Sequence, residues 1–139
     1  MGGTISSKNF DPLREPWLTV LDPKRPLPAS RRGEVWKTVL DPTVGREQGE
    51  SRPCLIVSDD HMNIGRSGLV ILVPLTSMFR DIPTWVEFKP GEAGLTKPSW
   101  AIPEAVRSVS RSRLLEFMGV APEARLQEVV RNLRYLIPT

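Results

Sequence analysis

Two runs of consecutive apolar residues, at positions 54–57 and 69–73, constrain the fold of this 139-residue chain more than any other feature. Each run is shorter than a typical helix, and neither alternates between apolar and polar residues as a half-exposed strand does. Unbroken apolar runs of this length are typical of central strands that are covered on both faces. The sequence therefore predicts a sheet with these two segments at its centre.

The segments around these runs are also rich in β-forming residues, and turn-forming sequences such as 65–68 separate the first three of them. This order favours an antiparallel meander. Apolar residues at helical spacing from Leu126 to Ile137, between Pro122 and Pro138, predict a C-terminal amphipathic helix. The expected fold class is mainly β with a C-terminal helix (α+β). The predicted strands are 34–40, 53–58, 69–75, 84–88, 99–106 and 115–120.

The first 30 residues differ in composition from the rest of the chain. Prolines at positions 12, 16, 23, 26 and 28 have a spacing that forbids a continuous helix or a central strand. The length of the chain suits one domain with a hydrophobic core. We therefore expect a proline-rich N-terminal arm at 1–30, ordered only in part, and a single domain at 31–139.

Composition limits the chemistry that the chain can perform. A formal net charge of +3 and a pI near 9.4 are compatible with a polyanionic partner. One cysteine, Cys54, excludes an internal disulfide, and one histidine, His61, excludes a Cys/His zinc cluster. The chain has no signal-peptide pattern and no apolar run of membrane-spanning length. Metal-free chemistry and carboxylate-bound magnesium both remain open at this point. We expect a cytoplasmic protein that uses no cofactor and no membrane.

A polar loop at 41–51 ends in Arg52, directly before Pro53 and the second predicted strand. Loops of this kind hold reactive groups over a rigid sheet. In an antiparallel meander the start of the second strand lies beside the end of the third. Arg52 and Thr76 are therefore expected to be neighbours.

Several short segments, taken in order and spacing, resemble the MazF/PemK family of toxin endoribonucleases. They are 33–36, 47–49 followed by Arg52 and Pro53, 56–58, and 73–77. The resemblance implies an SH3-like β-barrel, shared with CcdB-like toxins, and a homodimer. It also implies metal-independent cleavage of single-stranded RNA and inhibition by a cognate antitoxin.

The candidate catalytic residues are Arg52, Thr76 and Glu47, the last as the nearest candidate general base in sequence. The candidate substrate contacts are Gln48, Ser77, Arg107 and Arg111, of which Arg107 and Arg111 belong to a basic edge that suits phosphates. Attack of a ribose 2′-hydroxyl on phosphorus builds negative charge, which the forked, permanently charged guanidinium of Arg52 suits. The expected products carry a 2′,3′-cyclic phosphate and a 5′-hydroxyl. The chain departs from the family pattern at Ala105 and Ser110, which affects the expected RNA contacts there.

For several residues the sequence is compatible with either a functional or a purely structural role. Glu47 is either the general base or a loop carboxylate that pairs with a nearby arginine, since a solvated carboxylate titrates near 4.3. His61 is predicted to be exposed and without a catalytic role, and Cys54 to be a buried apolar residue. The tryptophans at 36, 85 and 100 are expected in the core or an interface, although one of them could stack on a base.

Two other functions compete with RNA cleavage. One is a non-enzymatic CcdB-like toxin that binds gyrase, and the other is an inactive RNA-binding barrel. A gyrase-binding toxin needs no phosphate-cleaving pair, so Arg52 and Thr76 favour the nuclease.

Overall fold

The computed structural model describes residues 27–41 and 50–138, so most of the predicted arm, together with Glu47 and Gln48, lies outside the described residues. Within these ranges the chain is mainly β with a C-terminal helix, as predicted. The strands are β1 (Glu34–Asp41), β2 (Glu50–Ile56), β3 (Leu69–Thr76), β4 (Val86–Phe88), β5 (Ser99–Ala101), β6 (Arg107–Ser110) and β7 (Leu114–Val120), and the helices are α1 (Asp60–Asn63) and α2 (Glu123–Leu136).

The strands form one antiparallel sheet in the order β4-β5-β3-β2-β1-β7, with β6 also paired to β3. The predicted meander holds for the first three strands. Beyond them the order changes, because β3 is long enough to pair with three partners. Its first half pairs with β6 at 69–72, its middle with β2 at 72–74, and its last two residues with β5.

The predicted single strand at 99–106 is wrong. It consists of two strands, β5 and β6, separated by a 3-10 turn at Pro103–Ala105. A proline has no N–H to donate to a ladder, so Pro103 ends the pairing of β5 and opens the turn. The Val106 N–H then donates to the Pro103 carbonyl at 3.1 Å, and the chain enters β6.

Both faces of the central strands are buried, as the two apolar runs predict. On β2 and β3, Leu55, Val73 and Leu75 face a cluster that includes the apolar side of α2. Cys54 and Leu72 face the opposite way, into a second cluster. Alternate side chains of a strand point to opposite faces, which is why an unbroken apolar run supplies both clusters.

Helix α2 packs on the first cluster through Leu126 and Val129. The Asn132 Nδ2 also donates to the Thr84 carbonyl at 2.9 Å, and Arg125 Nε lies 3.1 Å from a Glu92 carboxylate oxygen. These contacts fix the helix against the segments on either side of β4. In the part of the chain that the structure describes, no helix is long and apolar enough to cross a membrane.

A 3-10 turn at Glu92–Gly94 packs backbone to backbone on β7. Gly94 has a φ of +74°, and a Cβ there would lie 2.0 Å from the Met118 carbonyl oxygen. On the other side, a Cβ at Gly119 would lie 2.6 Å from the Ala93 carbonyl carbon. Only glycine permits this approach at both positions.

We expect Gly94→Ala to lower the free energy of unfolding by more than about 3 kcal/mol, since it adds a steric clash to an unfavourable φ. Gly91→Ala is the matched control, because Gly91 has a φ of +94° and open space around its Cβ position. Its loss should be about 1 kcal/mol, the cost of the backbone conformation alone. Urea unfolding measures the free energy of unfolding of both variants. Equal losses in the two variants would contradict the close approach of Gly94 to Met118.

Candidate active site

The hydrogen-bonded ladder between β2 and β3 ends at a pair of prolines. Its last partners are Cys54 and Pro74, and the next residue of β2 is Pro53. Pro53 lacks the backbone N–H that would face β3, so it cannot donate the next hydrogen bond of this ladder. The Pro74 carbonyl faces away from β2 and accepts the Ile102 N–H at 2.9 Å. An open cavity lies where the pairing stops, and both strands contribute to its wall.

This cavity, which we call the Arg52 cavity, has a volume of about 350 Å³. Arg52 and Lys97 give it two positive charges, and no acidic side chain of the described residues lines it. Hydroxyl groups supply most of the remaining polar lining, which suits an anion such as a phosphate group. They belong to Ser51, Thr76, Ser77, Thr96 and Ser99.

The strand register explains how Arg52 and Thr76 come to line the same cavity. The β2–β3 register pairs Cys54 with Pro74, and two residues further on it would set Arg52 opposite Thr76. Directly opposed residues of antiparallel strands point to the same face of a sheet. The sequence-predicted neighbours are thus brought together, with Ser77 beside them.

The Thr76 hydroxyl has one hydrogen bond that defines its role. Its oxygen accepts the Met78 N–H at 3.1 Å. A hydroxyl carries one proton and can accept and donate at once, so this bond orients the oxygen and leaves the proton available for a further acceptor. Thr76 can therefore donate to an anion in the cavity.

A second cavity of about 350 Å³ continues from the first along the middle of β1 and β7. The two share Arg52, Ser51 and Met118, so they form one groove. Glu116 and Lys37, which are partners in the β1–β7 register, line the second part. Glu116 is the one carboxylate that the described residues contribute to this groove.

The two later arginines are placed differently. Arg107 is exposed and pairs with Leu72, four residues along β3 from Thr76, or about 13 Å. Arg111 lies beyond the opposite end of β3, where its Nη1 donates to the Asn63 carbonyl at 2.9 Å. The structure therefore does not bring Arg111 to the Arg52 cavity.

The remaining predicted residues are also accounted for. Glu47 and Gln48 lie in the segment 42–49, outside the described residues. His61 is exposed on α1, next to Asp59, and lines neither part of the groove. The Asp59 carboxylate accepts the His61 backbone N–H, which with the His61 side chain lowers the pKa of Asp59.

Cys54 is fully buried, as predicted. Burial raises the pKa of its thiol to about 12, although Thr38 and the positive charges of Arg52 and Arg107 favour the thiolate. The desolvation of a buried thiolate outweighs these attractions. The thiol itself donates to the Arg52 carbonyl at 3.5 Å.

Two residues that line the cavity, Lys97 and Gly94, are not predicted from the sequence. Both lie in the segment 89–98, between the predicted strands at 84–88 and 99–106. A lysine followed by a proline in such a loop is the signal that could have singled it out. No group of three metal-binding side chains occurs among residues 27–41 and 50–138.

The described chain is thus an antiparallel half-barrel whose open end carries a cationic, hydroxyl-lined groove. Residues 31–137 match the family model described as PemK-like, MazF-like toxin of type II toxin-antitoxin system. The chain belongs to this family.

Two curated relatives support the assignment. Endoribonuclease MazF9 of Mycobacterium tuberculosis is 34% identical over 110 residues, which cover 75% of this chain and 92% of that protein. Endoribonuclease MazF of Staphylococcus saprophyticus is 34% identical over 101 residues, which cover 71% of this chain and 83% of that protein. The similarity therefore extends over most of each relative.

Solved structures show the same fold. The crystal structure of MazF from Deinococcus radiodurans matches with a TM-score of 0.68 and 29% identity, covering 81% of this chain and 99% of that one. A MazE-MazF structure from the same organism matches with a TM-score of 0.69 and 31% identity, covering 79% of this chain and 96% of that one. The predicted MazF-like fold is confirmed.

We expect the Cys54 thiol to resist iodoacetamide at pH 8 in the native protein, because its raised pKa keeps the thiolate population negligible. In denaturant the thiol should react completely, since its pKa then returns to about 8.5. Mass spectrometry of the alkylated protein reads both states. Fast native labelling would show that the thiol is accessible and ionised.

Proposed function

We propose that this chain is the toxin of a type II toxin-antitoxin system and cleaves single-stranded RNA with its own side chains, without a metal ion. The observation that carries the proposal is the meeting of Arg52 and Thr76 in a cationic cavity without acidic lining among the described residues. The names of the two curated endoribonucleases support the same reaction class.

In the proposed reaction the ribose 2′-oxygen attacks the adjacent phosphorus and the 5′-oxygen leaves. The 2′-proton passes to a base, and the 5′-oxygen receives a proton. The products are a 2′,3′-cyclic phosphate and a 5′-hydroxyl. The phosphorane that forms carries additional negative charge, so groups that bind it more tightly than the ground state accelerate the reaction.

Arg52 and Thr76 have complementary roles in this scheme. Two N–H groups of the Arg52 guanidinium can bind two phosphate oxygens in parallel, and its charge persists at all physiological pH values. The Thr76 hydroxyl, oriented by the Met78 N–H, donates to the same phosphate. Lys97 adds a second positive charge to the lining, from the loop before β5.

The attack requires the 2′-oxygen, the phosphorus and the 5′-oxygen to align. A base-paired duplex holds its backbone away from this arrangement, whereas an unpaired segment can adopt it in a groove. This geometric requirement supports single-stranded RNA as the substrate. The shared groove along β1, β2 and β7 gives the strand a path on both sides of Arg52.

The proposed general base is Glu47, in the segment that joins β1 to β2. It precedes Ser51, the first residue of β2 that lines the cavity, by four residues. Glu116 is the alternative, because it lines the second part of the groove. His61 is a poor candidate on its position, since it lines neither part.

We also propose that the chain acts in the cytoplasm as a homodimer and that a cognate antitoxin blocks its groove. The edge strand β7 exposes Leu115 and Val120, apolar side chains outside the groove that a second copy could cover. The MazE-MazF match supports an antitoxin partner. Sedimentation of the purified chain tests the dimer.

Arg52→Ala should reduce kcat by at least about 10²-fold, the usual loss when a donor to transition-state charge is removed. Arg52→Lys should recover only part of it, because lysine keeps the charge without the fork. Thr76→Val should cost about 10-fold to 100-fold, and Thr76→Ser should retain most of the activity. Cleavage of a long RNA in EDTA, with mapping of the 5′ ends, measures these effects.

Arg66→Ala is the control for net charge, since Arg66 is exposed and lines no part of the groove. It should leave kcat within about twofold of the wild type, as a surface change remote from the reaction. The absence of cleavage by the wild type in EDTA, or equal activity of the Arg52 and Thr76 variants, would overturn the proposal. An effect on gyrase alone would support the CcdB-like alternative.

Glu47→Gln and Glu116→Gln distinguish the two candidate bases, since each removes a carboxylate and preserves its shape. We expect Glu47→Gln to lower kcat by about 10²-fold and to abolish the acidic limb of the pH–rate profile. Glu116→Gln should leave that limb in place. The opposite pattern would assign the base to Glu116.

A further inference from the structure

A third cavity, of about 330 Å³, lies on the outer side of β5 and is lined by three aromatic side chains, Phe79, Trp85 and Trp100. We call it the aromatic cavity. Its volume falls at the lower end of the range for small-ligand pockets, about 300–1,000 Å³. None of its lining residues belongs to the groove that contains Arg52.

The aromatic cavity is nevertheless adjacent to the Arg52 cavity through the register of the sheet. Thr76 of β3 is the direct partner of Trp100 of β5, and Trp100 is in turn the partner of Glu87 of β4. Direct partners share a face, with Cβ atoms about 5 Å apart. Thr76 lines the Arg52 cavity, whereas Trp100 and Glu87 line the aromatic cavity.

Phe79 is exposed and packs against Trp100, which is half-buried. Phe79 remains 60% exposed, but its ring lies 5.1 Å from the Trp100 ring, centroid to centroid, at an interplanar angle of 56°. The loop that carries Phe79 is fixed by backbone hydrogen bonds, from Ile82 N to the Arg80 carbonyl and from Trp85 N to the Ile82 carbonyl. The exposed Phe79 ring and the accessible part of the half-buried Trp100 ring offer a surface on which a base can stack.

The charges around this platform distinguish a base from a phosphate. Three carboxylates line the cavity, at Asp81, Glu87 and Glu128. Of the two arginines there, Arg125 is bound to Glu92 at 3.1 Å. This lining repels phosphate and acidic peptides, but its carboxylates can accept hydrogen bonds from a base. Phosphate instead matches the cationic Arg52 cavity.

We propose that the aromatic cavity holds the nucleobase next to the cleaved phosphodiester, stacked on Trp100 and Phe79, with Glu87 accepting a hydrogen bond from its exocyclic amino group. This inference rests on the proposed nuclease function and deepens it. Trp100 and Phe79 are positioning and specificity residues, since they contact the substrate away from the reacting atoms.

Trp100→Ala and Phe79→Ala should each raise KM by about 10-fold, as expected for the loss of one base–aromatic contact. Their kcat should stay within about twofold, because the Arg52 cavity is intact. Tyr135→Ala is the control: Tyr135 is an exposed aromatic of α2 that does not line the cavity, so its KM should not change.

A substrate with an abasic nucleotide beside the mapped cleavage site tests whether the platform holds that base. On this substrate the wild type should show the raised KM, and Trp100→Ala and Phe79→Ala should raise it no further. Glu87→Gln should weaken the preference for bases with an amino group by about fivefold. If the missing base and the aromatic substitutions each raised KM and the two effects added, the proposal would be overturned. An unchanged KM of the wild type on the abasic substrate would also overturn it.

A binding measurement separates this inference from the nuclease proposal. An oligonucleotide with a 2′-deoxyribose at the cleaved nucleotide cannot react, and its stacking should quench tryptophan fluorescence in the wild type but much less in Trp100→Phe. Quenching without cleavage of normal RNA would overturn the nuclease function alone. Loss of dimer mass in Phe79→Ala, or weaker antitoxin binding with unchanged RNA binding, would assign the aromatic pair to a protein interface and overturn the inference.

Discussion

The groove exists because two neighbouring strands cannot continue their hydrogen bonds. Pro53 on β2 lacks the N–H that would face β3 at this end of the ladder, and beyond Pro74 the last two residues of β3 pair with β5. Each proline stands next to a residue that lines the Arg52 cavity, and that cavity begins where the pairing stops. A fully paired sheet would have no room for a ligand at this point. The sequence element that interrupts the sheet is therefore the one that creates the candidate active site.

β3 organises the rest of the molecule around this interruption. It pairs with β6 at one end, with β2 in its middle and with β5 at the other end. Its alternate side chains supply both hydrophobic clusters. The second cluster covers the face of β3 that carries Leu72. Four residues further along the strand, the same face carries Thr76 and is open. The strand thus provides a rigid base for reactive groups at its last residue.

The predictable parts of the structure are those that depend on neighbours in sequence. The central strands followed from unbroken apolar runs, and α2 from the spacing of Leu126 and Val129. Arg52 and Thr76 were placed together by strand order alone. By contrast, Arg111 binds a carbonyl 48 residues away, and Gly94 contacts Met118 across two strands. Such contacts arise from tertiary packing, so no local pattern indicates them.

The turn at Glu92–Gly94 has a mechanical consequence. One side of it rests on the backbone of Met118, and on the other side Glu92 is joined to Arg125 of α2. The Lys89 N–H and the Arg125 guanidinium both stabilise the ionised carboxylate, which lowers the pKa of Glu92. Lys97 follows three residues after Gly94 on the same loop. The turn therefore joins α2, through Arg125 and Glu92, to the loop that carries Lys97 in the lining of the Arg52 cavity.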